Sequence, residues 1–170
     1  VTGAAQGFGY GIAEELAKEG AVIVIADMNT EGAQKAADTI KSEYPTVEAF
    51  SVAVNIADES SVAKMVSDVT KTCGGIDLFV ANAGVLKAGS VKTFSLKDWE
   101  FVTDINYNGY FLCVKHVSAV MAAETADGGD WLDINSNELA ATKTEAGYLF
   151  NYAAINYSSK RVGGDQWLPI

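Results

Sequence analysis

The stretch TGAAQGFGYGIAEELAKEG, residues 2–20, contains a glycine-rich turn that runs directly into a helical pattern. The residues Gly3, Gly7 and Gly9 follow the spacing G-x-x-x-G-x-G, with Gln6 and Phe8 between them. Glycine permits the tight turn and lets the backbone approach a pyrophosphate, whose charge lies against the N–H groups and dipole of the following helix. The alternative is a turn that binds nothing, because glycine-rich turns also connect elements without a ligand.

Beyond this turn, strand patterns alternate with helix patterns. Short apolar runs predict buried strands at 21–27, 47–55 and 76–84. One helix is predicted at 30–43 with Thr30 as N-cap, and a second is predicted to begin after Asp58. A third is predicted from Ser95 to about Glu124, with a break near 106–109. Residues 131–136 predict a short strand, 137–150 are ambiguous, and a final helix is expected to begin near Tyr152. This order predicts an α/β fold, an incomplete Rossmann-like doubly wound parallel sheet with helices on both faces.

Composition and charge exclude several classes of protein. The 170 residues include 12 Lys and Arg against 22 Asp and Glu, a net charge of −10 without a basic cluster, so we expect no nucleic acid and no anionic membrane as a partner. No apolar run approaches the ~18 residues of a membrane span, and no signal peptide is recognisable. The two cysteines match no metal or redox spacing, so we expect no metal site and a reducing, cytoplasmic location.

Asp27 ends the second strand of the predicted sheet, 24 residues after Gly3. At this position a carboxylate can accept both ribose hydroxyls of an adenosine, whereas a solvated turn aspartate is the alternative. A carboxylate here would also repel a 2′-phosphate, and the turn contains no Lys or Arg. The pattern therefore favours NAD over NADP as the cofactor.

The tripeptide Asn82-Ala83-Gly84 ends the strand at 76–84, at the edge where parallel sheets bind ligands. Together with the glycine spacing and Asp27, it makes residues 1 to about 136 resemble the short-chain dehydrogenase/reductase family. The segments QGFGYGIAEELAKEGA, GGIDLFVANAGVLKAGS and DINYNGYFLCVKHVS resemble most the sorbitol-6-phosphate dehydrogenase-like branch, which acts on sugar phosphates and polyols. The resemblance implies that the glycine turn, Asp27 and residues 82–84 bind the cofactor.

The same resemblance implies a catalytic set of Asn106, Ser136, Tyr157 and Lys160. Asn106 would anchor a proton-relay water, Ser136 would hold the substrate oxygen, and Tyr157 would act as general base. Lys160 would lower the pKa of that tyrosine and bind the nicotinamide ribose. The chain departs from the family's Y-x-x-x-K spacing by one residue, and the 21 positions between Ser136 and Tyr157 exceed the family's separation. Ordinary positions on a helix surface are the alternative for Tyr157 and Lys160.

The predicted domain organisation is a single NAD(P)-binding Rossmann domain over residues 1–170. Its first strand, central in the order 3-2-1-4-5, is reduced to Val1 and Thr2, and the family's C-terminal elements do not follow residue 170, so we expect a fragment truncated at both ends. The aromatic side chains of Tyr107, Tyr110 and Phe111 would serve core packing or the contacts of a homo-oligomer of the full-length protein.

The predicted function is NAD-dependent interconversion of a small-molecule secondary alcohol, possibly a polyol or sugar phosphate, and a ketone. One alternative is a catalytically inactive NAD-binding fragment or degenerate relative, which the altered Tyr157–Lys160 spacing favours. A methyltransferase also uses a glycine-rich loop followed by an acid, but residues 82–84 argue against it.

Overall fold

A computed structural model describes residues 1–124, 148–151, 159–161 and 167–169, with the side chains of the first 123. Their elements in chain order are α1 (Gly7–Lys18), β1 (Ile23–Asp27), α2 (Thr30–Glu43), β2 (Ala49–Ala53), α3 (Glu59–Cys73), β3 (Leu78–Ala81), α4 (Leu96–Thr103), a π-helix (Asp104–Asn108), α5 (Gly109–Glu124), β4 (Tyr148–Asn151), β5 (Ser159–Arg161) and β6 (Trp167–Pro169). Strands and helices alternate from α1 to α4, as the periodicity predicts. In the part of the chain thus described, no helix is both long and apolar enough to cross a membrane.

The N-terminal segment, Val1–Gly3, lies between β1 and β3 and joins two strand pairs into one layer. Strand β2 pairs in parallel with β1, and β4 pairs in parallel with β3. The N–H of Thr2 donates to the carbonyl of Val80 at 3.0 Å, and that of Gly3 donates to the carbonyl of Ala26 at 2.8 Å. The resulting order is β2-β1-(Val1–Gly3)-β3-β4, so the predicted central position of the first strand is confirmed.

Two apolar clusters, one on each face of this sheet, hold the helices in place. On one face, α1 and α2 pack through small side chains onto Ile23 and Ile25, which are 2% and 0% exposed. On the other face, α3 and α5 pack onto Ala26 and Phe79. Consecutive residues of β1 therefore point to opposite faces, as expected of a strand covered on both sides. This arrangement confirms the predicted α/β class with helices on both faces.

Side-chain caps fix where three helices begin. Asp58 accepts from the N–H groups of Ser60 and Ser61 ahead of α3, and Ser95 accepts from the N–H of Asp98 ahead of α4, both as predicted. For α2 the prediction of Thr30 was wrong. The cap is Asn29, whose side chain accepts from the Gly32 N–H, because an asparagine oxygen one residue earlier already reaches the first free donor of the helix.

The long helical stretch is interrupted where a break was predicted. Residues Asp104–Asn108 form a π-helix between α4 and α5, so the chain stays helical but carries one extra residue in that turn. A Cβ on Gly109 would lie 2.9 Å from the side chain of Ile56, so a side chain there would displace α5 from the loop that precedes α3. Gly109, the first residue after the π-helix, therefore allows α5 to approach Ile56 closely.

The helix expected from Tyr152 is wrong at its far end. Residues Ser159–Arg161 form β5, which pairs antiparallel with β6 in the register Lys160↔Leu168. Strand pairing with a partner farther along the chain overrides local helix propensity here. The ambiguous segment ends in β4, which adds to the sheet beside β3. The strand predicted at 131–136 lies outside the described residues.

Candidate active site

The N-terminus of α1 differs from those of α2, α3 and α4 in the side chain of its N-cap residue. Its N-cap residue, Gln6, makes no side-chain cap hydrogen bond, and the first turn contains no acidic residue. The first N–H groups of an α-helix have no partner within the helix. Because the first turn of α1 contains no acidic side chain, the partial positive charge of this helix end would favour an anion.

The glycine loop, residues 3–9, leads into this helix end with the backbone that its glycines were predicted to allow. Gly3 and Gly7 have φ of +65° and +62°, a conformation that costs other residues energy. A Cβ on Gly9 would lie 2.5 Å from Nδ2 of Asn82 and closer still to the carbonyl oxygen of Gly3. The loop therefore needs glycine at positions 3 and 7 for conformation, and at position 9 for space.

Asp27 lies beside the glycine loop at the end of β1. Its Oδ2 accepts from the Ala5 N–H at 3.0 Å, and its Oδ1 accepts from the Asn29 N–H at 2.9 Å. A carboxylate has about four lone-pair sites, so these two bonds leave two for further donors. The remaining acceptor capacity fits the two hydroxyls of a ribose.

A hydroxyl and an amide join the glycine loop to the end of β3. The buried Thr2 Oγ1 donates to the carbonyl of Val80 at 3.3 Å and accepts from the N–H groups of Asn82 and Ala83, both at 3.1 Å. Nδ2 of Asn82 donates to the carbonyls of Thr2 at 2.9 Å and Gly3 at 3.2 Å. Of these two predicted cofactor-binding residues, Asn82 therefore bonds to the loop itself through Gly3, and Ala83 bonds to Thr2, directly before the loop.

Asn106 lies in the π-helix and binds the backbone that follows β3. Its Oδ1 accepts from the Val85 N–H, and its Nδ2 donates to the Val85 carbonyl, both at 2.8 Å. A Cβ on Gly84 would lie 3.3 Å from Oδ1 of Asn106, so the glycine leaves room for this contact. Asn106 is thereby brought to the same sheet edge as the glycine loop and Asp27.

Away from this sheet edge, charged side chains of α3 and α5 contact each other. The Lys115 ammonium, and secondly His116, hold the pKa of the Glu59 carboxyl below its ordinary value, at 2.6 Å and 3.1 Å from Oε1. This contact joins α3 to α5 and gives His116 a partner on the surface. Burial raises the pKa of the Cys113 thiol to about 11, so that thiol is unreactive at neutral pH. Among the side chains described, no group of three His, Cys, Asp or Glu could hold a metal ion.

The other predicted catalytic residues are not brought to this edge by the described part of the chain. Ser136 and Tyr157 lie outside the described residues. Lys160 lies in β5, so the helical spacing from which its contact with Tyr157 was argued does not apply. Sequence reasoning missed the role of Thr2, although its position directly before Gly3 was visible, and it missed Val85 as the partner of Asn106.

Comparison with known proteins defines the class to which this site belongs. Residues 1–154 match the family model of the short chain dehydrogenases. The chain belongs to this family, and the predicted resemblance is confirmed. The site formed by the glycine loop, Asp27 and Asn82 thus belongs to a member of a family of oxidoreductases.

Individual relatives are similar over about half of their own length. Meso-2,3-butanediol dehydrogenase of Serratia marcescens is 32% identical over 77% of this chain and 55% of its own. Among solved structures, sorbitol-6-phosphate 2-dehydrogenase from Erwinia amylovora is 38% identical with a TM-score of 0.68, over 71% of this chain and 47% of its own. NAD⁺-bound xylitol dehydrogenase is 34% identical with a TM-score of 0.69, over 73% and 47%. The chain thus spans about half the length of the proteins it matches.

Proposed function

We propose that residues 1–170 form one nucleotide-binding domain of an NAD-dependent oxidoreductase that interconverts a secondary alcohol and a ketone by hydride transfer. The observation that carries the proposal is the Asp27 carboxylate beside the glycine loop, with acceptor capacity left for two ribose hydroxyls. The N-terminus of α1, which has no acidic residue in its first turn, would hold the pyrophosphate, and Asn82, Ala83 and Gly84 would line the nicotinamide side. When bound, the nicotinamide supplies or accepts the hydride.

NAD is proposed over NADP on charge. A 2′-phosphate would lie against the Asp27 carboxylate, and residues 28–34 contain no Lys or Arg to neutralise it. The proposed substrate is a small polyol or sugar phosphate. Its support is the similarity to dehydrogenases named for butanediol, xylitol and sorbitol 6-phosphate.

The proposed chemistry uses Tyr157 as general base, Lys160 to lower its pKa, Ser136 to hold the substrate oxygen and Asn106 to anchor a proton relay. In the described residues only Asn106 has its contacts fixed, through Val85. A second candidate function, a chain that binds NAD without catalysis, is favoured by Lys160 lying in a strand instead of a helix. In the full-length protein, Tyr107 and Phe111, which are 75% and 61% exposed, would contribute to a homo-oligomer contact.

NADH binding to the purified chain, followed by the cofactor's fluorescence, tests the proposal. Saturable binding is expected, with NADPH binding at least tenfold more weakly because of Asp27. Equal binding of the two nucleotides would contradict the NAD assignment, and absence of binding by a folded chain would contradict the nucleotide site. Turnover with xylitol and sorbitol 6-phosphate then separates the enzyme from the non-catalytic alternative.

A further inference from the structure

Both oxygens of the Asp27 carboxylate are used by the protein itself. Oδ2 is 3.0 Å from the Ala5 nitrogen, and Oδ1 is 2.9 Å from the Asn29 nitrogen. Ala5 lies midway between Gly3 and Gly7, the two residues of the glycine loop with positive φ. The carboxylate therefore binds the loop between these two glycines, through a hydrogen bond that requires no nucleotide.

We propose that Asp27 is a positioning residue for the glycine loop, beyond any contact it makes with a ribose. By holding the Ala5 N–H, it fixes the backbone between Gly3 and Gly7 in the shape that receives a pyrophosphate, before the nucleotide arrives. The identity of the ligand rests on the proposed function, whereas the state of the loop is a property of the free chain. Preorganisation of this kind strengthens binding because the cost of ordering the loop is met during folding.

The surroundings of Ala5 support a loop held from two sides. A Cβ on Gly32, in the first turn of α2, would lie 3.1 Å from Cβ of Ala5, so that turn closes over the loop. The same turn is fixed by Asn29, whose side-chain oxygen accepts from the Gly32 N–H at 3.0 Å. Because the Asn29 N–H also donates to Asp27, one carboxylate joins the loop, the end of β1 and the start of α2.

An amide cannot replace this carboxylate. Asparagine offers one acceptor oxygen, and its NH₂ group would face either the Ala5 or the Asn29 N–H, donor against donor. Hydrogen bonds to a charged acceptor are stronger than neutral ones, so the loss at Ala5 is expected to be about tenfold or more in the equilibrium for opening the loop. Asp27→Asn is close to isosteric, removes the charge and leaves only one acceptor oxygen for the two N–H groups.

The first test is amide hydrogen exchange by NMR on the nucleotide-free chain. The Ala5 amide of the wild type is expected to be protected, and Asp27→Asn is expected to reduce that protection about tenfold or more. Asp38→Asn is the matched control, because it removes the same charge from an exposed carboxylate that binds Gln34 on α2. An Ala5 amide that exchanges freely in the wild type, or equally in wild type and Asp27→Asn, overturns the proposal.

The second test separates loop positioning from ribose contact. Binding of NADH is compared with binding of an NADH analogue that lacks the 2′ and 3′ hydroxyls of the adenosine ribose. Both are measured in 1 M NaCl, where the Debye length is about 3 Å, so that the lost charge of Asp27 is largely screened from the phosphates of the ligand. A residue that only binds the ribose would leave the analogue's affinity unchanged in Asp27→Asn. Loop positioning predicts that the analogue also binds about tenfold more weakly, and an unchanged affinity overturns it.

The outcomes distinguish this proposal from the proposed function. A wild-type chain that protects Ala5 through Asp27 but binds no NADH keeps the positioning role and refutes the nucleotide site. A chain that binds NADH, but whose Ala5 amide exchanges equally fast in wild type and Asp27→Asn, keeps the nucleotide site and refutes the positioning role. If Asp27→Asn lacks the dispersed spectrum of a folded protein, Asp27→Glu replaces it. That variant keeps both acceptors on a longer side chain, so partial loss of Ala5 protection is expected, and no loss overturns the proposal.

Discussion

Replacing Gly9 and Gly11 by alanine, one at a time, should change the stability of this chain in opposite directions. Both glycines lie in α1 and neither has a positive φ. A Cβ at Gly11 would meet nothing within 4 Å, whereas one at Gly9 would lie 2.5 Å from Nδ2 of Asn82 and 2.9 Å from Cα of Ala4. The two substitutions therefore add the same methyl group to the same helix, in open space and in a closed site.

The magnitudes follow from this difference. At Gly11 only helix propensity acts, which favours alanine by about 0.5–1 kcal/mol. At Gly9 the same gain is opposed by about 1–3 kcal/mol of overpacking and about 1 kcal/mol for weakening the bond from Asn82 to the Gly3 carbonyl. The net expectation for Gly9→Ala is a loss of about 1–3 kcal/mol in the free energy of unfolding.

Urea denaturation followed by circular dichroism measures both values, and thermal melts provide a check. For a chain of this size, each kcal/mol shifts Tm by about 2–4 °C, so Gly11→Ala should raise Tm by a few degrees and Gly9→Ala should lower it. NADH affinity should fall in Gly9→Ala only, since only that substitution disturbs the glycine loop. Equal changes in the two variants, or stabilisation by Gly9→Ala, would refute the reasoning from packing.

Three further expectations concern other contacts. Thr2→Val, nearly isosteric, should cost about 1–3 kcal/mol in urea denaturation because it leaves the Ala83 N–H without its acceptor and the Asn82 N–H with only the Val80 carbonyl, and Thr2→Ser should restore most of that stability. Asn106→Ala should raise the amide exchange rate of Val85 about tenfold, and Asn106→Asp, which keeps only the acceptor, should give a smaller rise; identical rates in wild type and Asn106→Ala would exclude the contact. The pKa of Glu59 is lower in the folded chain than its ordinary 4.5, so its contact with Lys115 stabilises above about pH 4.5 and is lost as the pH falls through the folded value. Melts of Glu59→Gln and wild type should therefore differ more at pH 7 than at pH 3, with a smaller difference in 1 M NaCl, and a gap at pH 3 as large as that at pH 7 would contradict this.

Local patterns were sufficient to predict most of the fold. Strand positions follow from buried apolar runs, and the caps at Asp58 and Ser95 follow from residues whose short side chains reach the first free donors of a helix. The N-cap of α2 was missed by one residue, because Asn29 and Thr30 can both accept such a bond and only the backbone at the turn decides. The strand at Ser159–Arg161 was missed because it depends on pairing with residues farther along the chain.

The site was predictable in its residue types and only partly in its contacts. The spacing from Gly3 to Asp27 predicted that a carboxylate would lie beside the loop. It did not predict that both carboxylate oxygens would bind backbone N–H groups, because Ala5 and Asn29 reach Asp27 only once the loop has its final curvature. Likewise, Thr2 carries no charge or motif signal of its own, and its three hydrogen bonds exist only because the segment lies between two strands.

The position of Val1–Gly3 has a consequence for how the chain reaches its native state. Thr2 bonds to Val80 across 78 positions of sequence, so the middle segment of the sheet is synthesised before both strands that flank it and meets the second of them only after this separation. Closing so long a loop slows folding, and an unpaired strand edge is open to wrong partners in the interval. The assembly of the sheet should therefore be the slow phase of refolding, appearing as a delay between helix formation and protection of the Thr2 amide, with aggregation competing most strongly during that delay.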